Sequence, residues 1–280
     1  MPLPLSPPFA VAPVLAAMAA HALPGAERSA PGAARHSRTV PTACGTAVVT
    51  VCLGADRVDA ELDLPHPAAE GAVVRLVRRW LDLDAELGEI AGVLAADPLL
   101  RPLLERNPGL RVLGHVDGFE AAAVTVLGQQ VSLAAARTFA GRLVAAFGAP
   151  AGQGLLAFPR PATLAAADPE DLRAAVGITG ARARTLGALA AACADGLRLT
   201  PDEDATAVRH RLLALPGIGA WTADYLALRA LGDRDAFPAT DLVLRRALGG
   251  LASAAATGRA EAWRPFRAYA VTHLWTRAAY

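Results

Sequence analysis

The spacing of apolar and polar positions changes character along the chain. Residues 46–53 are rich in Val and Thr, Gly54-Ala55-Asp56-Arg57 supplies turn chemistry, and Val58, Ala60, Leu62 and Leu64 then alternate with Asp59, Glu61 and Asp63. Period two with one wet face predicts a β-hairpin. Across residues 68–83, Val73, Val77, Trp80 and Leu81 recur at helical spacing and predict a helix. Residues 1–88 therefore read as a small α+β domain. From about Leu87 onward nothing alternates like a strand, and residues 89–280 read as helices separated by Gly and Pro. Ala136, Ala140, Leu143, Val144 and Phe147 share one helical face, and Asp168-Pro169-Glu170-Asp171 reads as a capped helix start. Chain breaks are expected at 84–90, 106–114 and 148–161.

Composition narrows the chemistry. Net charge is +1, so any nucleic-acid contact must come from a local feature and not a global basic field. The sequence contains no lysine, which closes any route through a lysine Schiff base. Cys44, Cys52 and Cys193 are too few for a four-thiolate cluster, lack zinc spacing, and read as buried thiols of a reducing cytoplasm. The apolar residues 1–20 are interrupted by Pro2, Pro4, Pro7, Pro8 and Pro13 with no Lys or Arg before Arg28, which argues against a signal peptide or a membrane span. A soluble cytoplasmic protein is expected.

The most specific motif lies further on. Residues 209–213 read as a helix end, Leu215-Pro216-Gly217-Ile218-Gly219 as a tight hairpin, and 220–230 as a second helix. Gly217 and Gly219 are expected to hold backbone conformations closed to other residues, leaving bare amides at the second helix's start. Such amides bind phosphate without a basic side chain. Trp221, Tyr225 and Leu228 follow on one helical face, and Phe237-Pro238-Ala239-Thr240-Asp241 lies a short loop beyond. Read by itself, Asp241 suits a cap for the helix starting near Leu242.

This hairpin and aspartate resemble those of the helix-hairpin-helix DNA glycosylases, most closely the bacterial 3-methyladenine DNA glycosylase II (AlkA) type. Val116-Asp117-Gly118-Phe119-Glu120, Leu127-Gly128-Gln129-Gln130-Val131-Ser132, Phe158-Pro159-Arg160-Pro161, residues 215–225, residues 236–246 and residues 263–270 resemble that family's blocks in order. The resemblance implies a TATA-box-binding-protein-like N-terminal domain and two helical subdomains, about 115–232 with the hairpin, and 89–114 plus 233–280.

It also implies site roles. Asp241 takes the place of the family's catalytic aspartate, facing the positive charge that builds on the sugar as a base departs. Trp221, Tyr225 and Trp275 line the base pocket. Gly217, Ile218 and Gly219 grip the strand, Gln130 stands at the wedge position, and Arg245 and Arg246 are candidates for phosphate contacts. The backbone carbonyls of Leu213, Leu215 and Ile218 are candidates for a monovalent cation, Na or K; no cofactor is required. Bifunctional relatives carry a lysine where this chain has Trp221, so base release without strand cleavage is expected. The implied partner is double-stranded DNA with damaged bases, met by a monomer associated with a bacterial nucleoid. Three alternatives remain open: a non-catalytic DNA grip, a glycosylase for deaminated or oxidised purines, and an all-helical scaffold.

Overall fold

The structure, a computed structural model, describes residues 1–279. Strands β1 (Pro2–Pro4), β2 (Glu27–Ala30), β3 (Arg35–Thr42), β4 (Gly45–Leu53) and β5 (Arg57–Asp63) form an antiparallel sheet in the order β1-β5-β4-β3-β2. The hairpin of β4 and β5 is the expected one: Val58 faces Leu53, Ala60 faces Val51, and the Gly54 amide donates to the Arg57 carbonyl at 2.9 Å to close the turn. Helices α1 (Val11–His21) and α2 (Glu70–Trp80) lay Val14, Leu15, Met18, Val73, Val77 and Trp80 into one apolar cluster with Val49, Val51 and Val58. Each such aliphatic side chain contributes about 1.5–3 kcal/mol on burial. The second helix is shorter than the periodic stretch 68–83, because Pro67 opens a 3-10 turn ahead of it.

The sheet-side cluster also takes in Leu110, Leu113 and Val116. The rest is helical: α3 (Leu87–Leu94), α4 (Arg101–Arg106), α5 (Gly118–Gly128), α6 (Leu133–Phe147), α7 (Pro161–Ala165), α8 (Pro169–Val176), α9 (Gly180–Ala194), α10 (Ala205–Leu213), α11 (Ala220–Arg229), α12 (Leu242–Ala247), α13 (Ser253–Ala260) and α14 (Arg267–Ala279). These helices share one core that includes Leu127, Leu143, Leu186, Leu212, Leu226 and Leu274. The predicted cap holds, with the Asp168 carboxylate accepting from the Glu170 amide at 2.7 Å.

One expectation is corrected here. The second half is not free of strands, since β6 (Ala149–Gly152) and β7 (Leu155–Ala157) form a small antiparallel pair in the stretch read as a Gly/Pro break. Gly152 and Gly154 turn it at φ +100° and +72°. Its order comes from the distant sheet: the Leu156 amide donates to the Gly25 carbonyl at 2.8 Å, and the Thr39 hydroxyl donates to the Leu156 carbonyl at 3.2 Å. Local patterning carries no trace of such contacts. The cysteines are a second correction, because Cys44 is exposed in the turn before β4 and Cys52 and Cys193 are only half-buried. No helix among the described residues is long and apolar enough to cross a membrane.

A buried ion cluster joins the sheet to the bundle. Arg38 on β3, only 3% exposed, donates to Glu27 at 2.8 Å and to Glu120 on α5. Burial pushes the Glu120 carboxyl up to about 7 against the pull of Arg38, and Glu27 repels it further in the same direction. Replacing Arg38 by Met removes the guanidinium shared by these two buried carboxyl groups and is expected to cost about 3–5 kcal/mol, measurable by denaturant unfolding. A raised carboxyl favours the fold below its unfolded value and that contribution is lost as pH climbs from 4.5 to about 7. Glu120→Gln is therefore expected to flatten the stability profile across that window.

Candidate active site beside the hairpin

Helices α10 and α11 are joined by a turn in which the Ile218 amide donates to the Leu215 carbonyl at 3.2 Å, with the Ile218 side chain buried as its anchor. Gly217 sits at φ +79°, and a Cβ there would stand 2.2 Å from the Thr185 hydroxyl oxygen of α9. Both conformation and close packing demand glycine. Gly219 differs from the expectation: its φ of −103° with ψ 178° is extended backbone open to any residue. A Cβ there meets nothing within 4 Å, so this glycine leaves open room in front of the helix and permits no special conformation. No side chain caps α11, and its first-turn amides therefore face that open room.

The loop between α5 and α6 is tied to this hairpin. Gln129 donates through Nε2 to the Gly217 carbonyl at 3.0 Å and to the Thr222 hydroxyl at 3.1 Å, while Arg182 donates to the Gln129 carbonyl. Gln130, the expected wedge, follows directly, exposed and in the left-handed region at φ +57°.

Asp241 lies at the start of α12 and is 8% exposed. One carboxylate oxygen accepts from the Leu244 amide at 2.7 Å and from the Trp275 indole at 3.0 Å; the other accepts from the Trp221 indole at 2.9 Å. The helix-cap reading is thus borne out, and the same side chain also meets two indoles. The cap fixes its rotamer, and two indole N–H groups from α11 and α14 orient its oxygens. The loop before it is locked by Arg267, whose guanidinium grips Asp235 at 2.8 and 2.9 Å, and by Arg264 on the same carboxylate.

Trp221 and Tyr225 stack with ring centroids 5.3 Å apart and planes inclined 22°, and Trp275 lies 5.9 Å from Tyr225. These rings border two adjoining cavities. One, of about 250 Å³, is lined by Asp241, Trp275 and Tyr225; the other, of about 300 Å³, by Trp221, Tyr225, Thr125 and Trp80. His21, Leu113, Tyr225 and Arg229 belong to both walls. Together the two spaces can seat a two-part ligand, one part beside the carboxylate and the other against the rings.

The remaining expected residues divide. Arg246 is exposed, whereas Arg245 donates through Nε to the Leu251 carbonyl at 2.8 Å and holds the end of its own helix. Leu213 is exposed, and the Leu215 carbonyl already accepts the Ile218 amide. No group of His, Cys, Asp and Glu among the described residues is arranged to hold a metal ion. Sequence reasoning missed Gln129, Arg267, His21 and Arg229. Arg267 and Gln129 lie inside the family-like blocks, but their partners are far away in sequence; nothing local marks His21 or Arg229.

Two family models match the chain: residues 1–117 match the AlkA N-terminal domain, and residues 123–264 match the HhH-GPD superfamily base excision DNA repair protein. A Mycobacterium tuberculosis protein described as a probable bifunctional transcriptional activator/DNA repair enzyme AlkA is 43% identical over 98% of this chain and 56% of its own length. The DNA-3-methyladenine glycosylase 2 of Escherichia coli is 38% identical over 60% of this chain and 61% of that protein. This chain thus spans a little over half the length of these relatives. Among solved structures, a 3-methyladenine DNA-glycosylase from Archaeoglobus fulgidus superposes with a TM-score of 0.87 at 22% identity, covering 99% of this chain and 98% of that one, a likeness of fold.

Proposed function

Because the chain belongs to the HhH-GPD superfamily of base excision DNA repair proteins, we propose that it is a monofunctional DNA glycosylase that hydrolyses the N-glycosidic bond of alkylated bases such as 3-methyladenine and 7-methylguanine. The observation that carries this reading is the Asp241 carboxylate, held by two indole N–H groups beside an aromatic-walled cavity. Double-stranded DNA is the partner. Bare amides at Gly219 and the start of α11 receive a phosphate, Gln130 enters the stack where the nucleotide leaves, and the base is drawn between the rings. Extrusion costs a few kcal/mol. A base made cationic by alkylation recovers part of this against Trp221, Tyr225 and Trp275, since cation–π stacking contributes about 2 kcal/mol when desolvated.

The chemistry follows from charge. As the C1′–N bond lengthens, positive charge spreads over C1′ and the ring oxygen, and a fixed carboxylate in a water-poor cleft stabilises it without reorganising. Water then adds to C1′ and leaves an abasic site. Trp221 holds the position at which bifunctional relatives carry lysine, and the sequence has no lysine, so no imine links enzyme to sugar and the strand stays whole. The protein acts as a monomer of the bacterial cytoplasm and nucleoid, and a monovalent ion at the Leu213, Leu215 and Ile218 carbonyls steadies the hairpin. Methylated duplex incubated with purified protein is expected to yield free 3-methyladenine and abasic sites that break only on alkaline treatment. Intact lesions, or strand breaks without alkali, would reject the assignment.

A further inference from the structure

Beside the cavity of Asp241 lies another, of about 430 Å³, between α1, the end of α4 and α14. Pro13 and Thr276 belong to the walls of both. Its polar lining comes from Arg106, Asn107, His273, Thr276 and Arg277, the rest being apolar side chains of α1 and Leu103, and no Asp or Glu among the described residues takes part. Two guanidinium groups thus converge on one space whose wall holds no carboxylate. Each sits in the last turn of its helix, where the carbonyl end favours a cation. That accounts for each arginine separately and not for their convergence.

The charges around it are engaged elsewhere. Among the described residues neither Arg106 nor Arg277 forms an ion pair or a side-chain hydrogen bond, whereas Arg101 on α4 donates to the Ala95 carbonyl at 2.9 Å and Arg267 on α14 holds Asp235. Of the carboxylates on and just before α4, Glu105 is exposed outside the wall, and Asp97 is taken by Arg259 and the Trp263 indole. His273 is 5% exposed, and its Nδ1 is fully buried with no hydrogen-bond partner. Burial holds the imidazole down to about 4 against the pull of the Leu103 carbonyl, so the ring is neutral near pH 7 and carries one N–H to donate. A buried polar atom left alone carries its full desolvation cost until a ligand or water completes it.

We propose that this cavity is a phosphate site, in which the guanidinium groups of Arg106 and Arg277 meet the charge while His273 Nδ1, the Thr276 hydroxyl and the Asn107 amide donate to the remaining oxygens. The donor set is what selects the ligand. Two guanidinium forks match the paired oxygens of a phosphate, and charge-assisted bonds of this kind are shorter and stronger than neutral ones. Every polar group in the wall can donate and no carboxylate repels, so an oxyanion is accepted and a cation is not. The phosphate has two possible sources. A duplex held at the adjoining Asp241 cavity brings backbone phosphates to this wall, and free phosphate reaches it from solvent. The site does not depend on which bond, if any, the chain hydrolyses.

Wild type, Arg106→Met and Arg277→Met, the last two changed only at exposed positions, are compared in two arms. In the first, melting temperature is followed as inorganic phosphate replaces chloride at constant ionic strength. A saturable rise in wild type, with half-saturation about tenfold or more higher in each variant, identifies free phosphate as the occupant. In the second, affinity for a duplex carrying a tetrahydrofuran abasic mimic is titrated against salt. A several-fold loss in each variant, with the log–log salt slope shallower by about one, identifies a backbone phosphate. In whichever arm is positive, the nitrogen-15 resonance of His273 Nδ1 should move as wild type saturates. If all three proteins respond alike in both arms, whether phosphate stabilises them equally or not at all, or if that resonance stays in place at saturation, the site is overturned and the glycosylase reading is left standing.

Discussion

Asp241→Asn is expected to slow single-turnover release of 3-methyladenine by roughly 100- to 1,000-fold, the scale of losing one preorganised electrostatic group from a reacting centre. Its fold should survive, because asparagine caps helices about as well as aspartate and can still accept from the Leu244 amide. What the amide cannot do is accept on both sides. With its oxygen toward Leu244 and Trp275, its NH₂ faces the Trp221 indole N–H, donor against donor, in place of the 2.9 Å bond. Duplex binding should stay within a few-fold of wild type, since the hairpin amides are untouched. A variant with wild-type release would show that the carboxylate serves only as a cap.

The second large effect separates the two hairpin glycines. Gly217→Ala forces a side chain to φ +79° and against Thr185, and should lower stability by about 1–3 kcal/mol and disrupt the turn. Gly219→Ala meets neither obstacle and should melt like wild type. Its methyl group nevertheless projects into the room in front of α11, where the phosphate must approach. Weakened duplex binding at an unchanged melting temperature is therefore the expected signature of Gly219→Ala, read by titration at fixed salt. Equal melting temperatures for both variants would contradict the geometry of the turn.

Much of this was legible in the residues. The alternation in 58–64, the helix around Val73 and Val77, the helix–turn–helix at 209–230 and the aspartate beyond it are local signals, and local signals report local structure. Resemblance then gathered Trp221, Tyr225, Trp275 and Asp241 at one place, and the structure brings their side chains within hydrogen-bonding and stacking reach. What stayed hidden depends on distant contact. The strands β6 and β7 owe their order to Gly25 and Thr39, far away in the sequence. Helix α1 is written in Ala, Val and Pro with weak periodicity, yet its last residue, His21, reaches the wall of both cavities. Gly219 reads in sequence like a conformational glycine and is a spatial one, a distinction set by the three-dimensional surroundings of its Cα.

Catalysis on this reading depends on an anionic side chain positioned to face a cationic sugar, and a charged mimic of that sugar interrogates it directly. A duplex with a pyrrolidine ring at the abasic position carries positive charge near C1′, whereas a tetrahydrofuran duplex has the same shape without it. Transition-state complementarity requires the enzyme to prefer the charged ring by at least about a hundredfold. Asp241→Asn should erase most of that preference while binding the neutral duplex as before. Equal affinity of the wild type for both duplexes, or a preference that persists without the carboxylate, would contradict the assignment of Asp241.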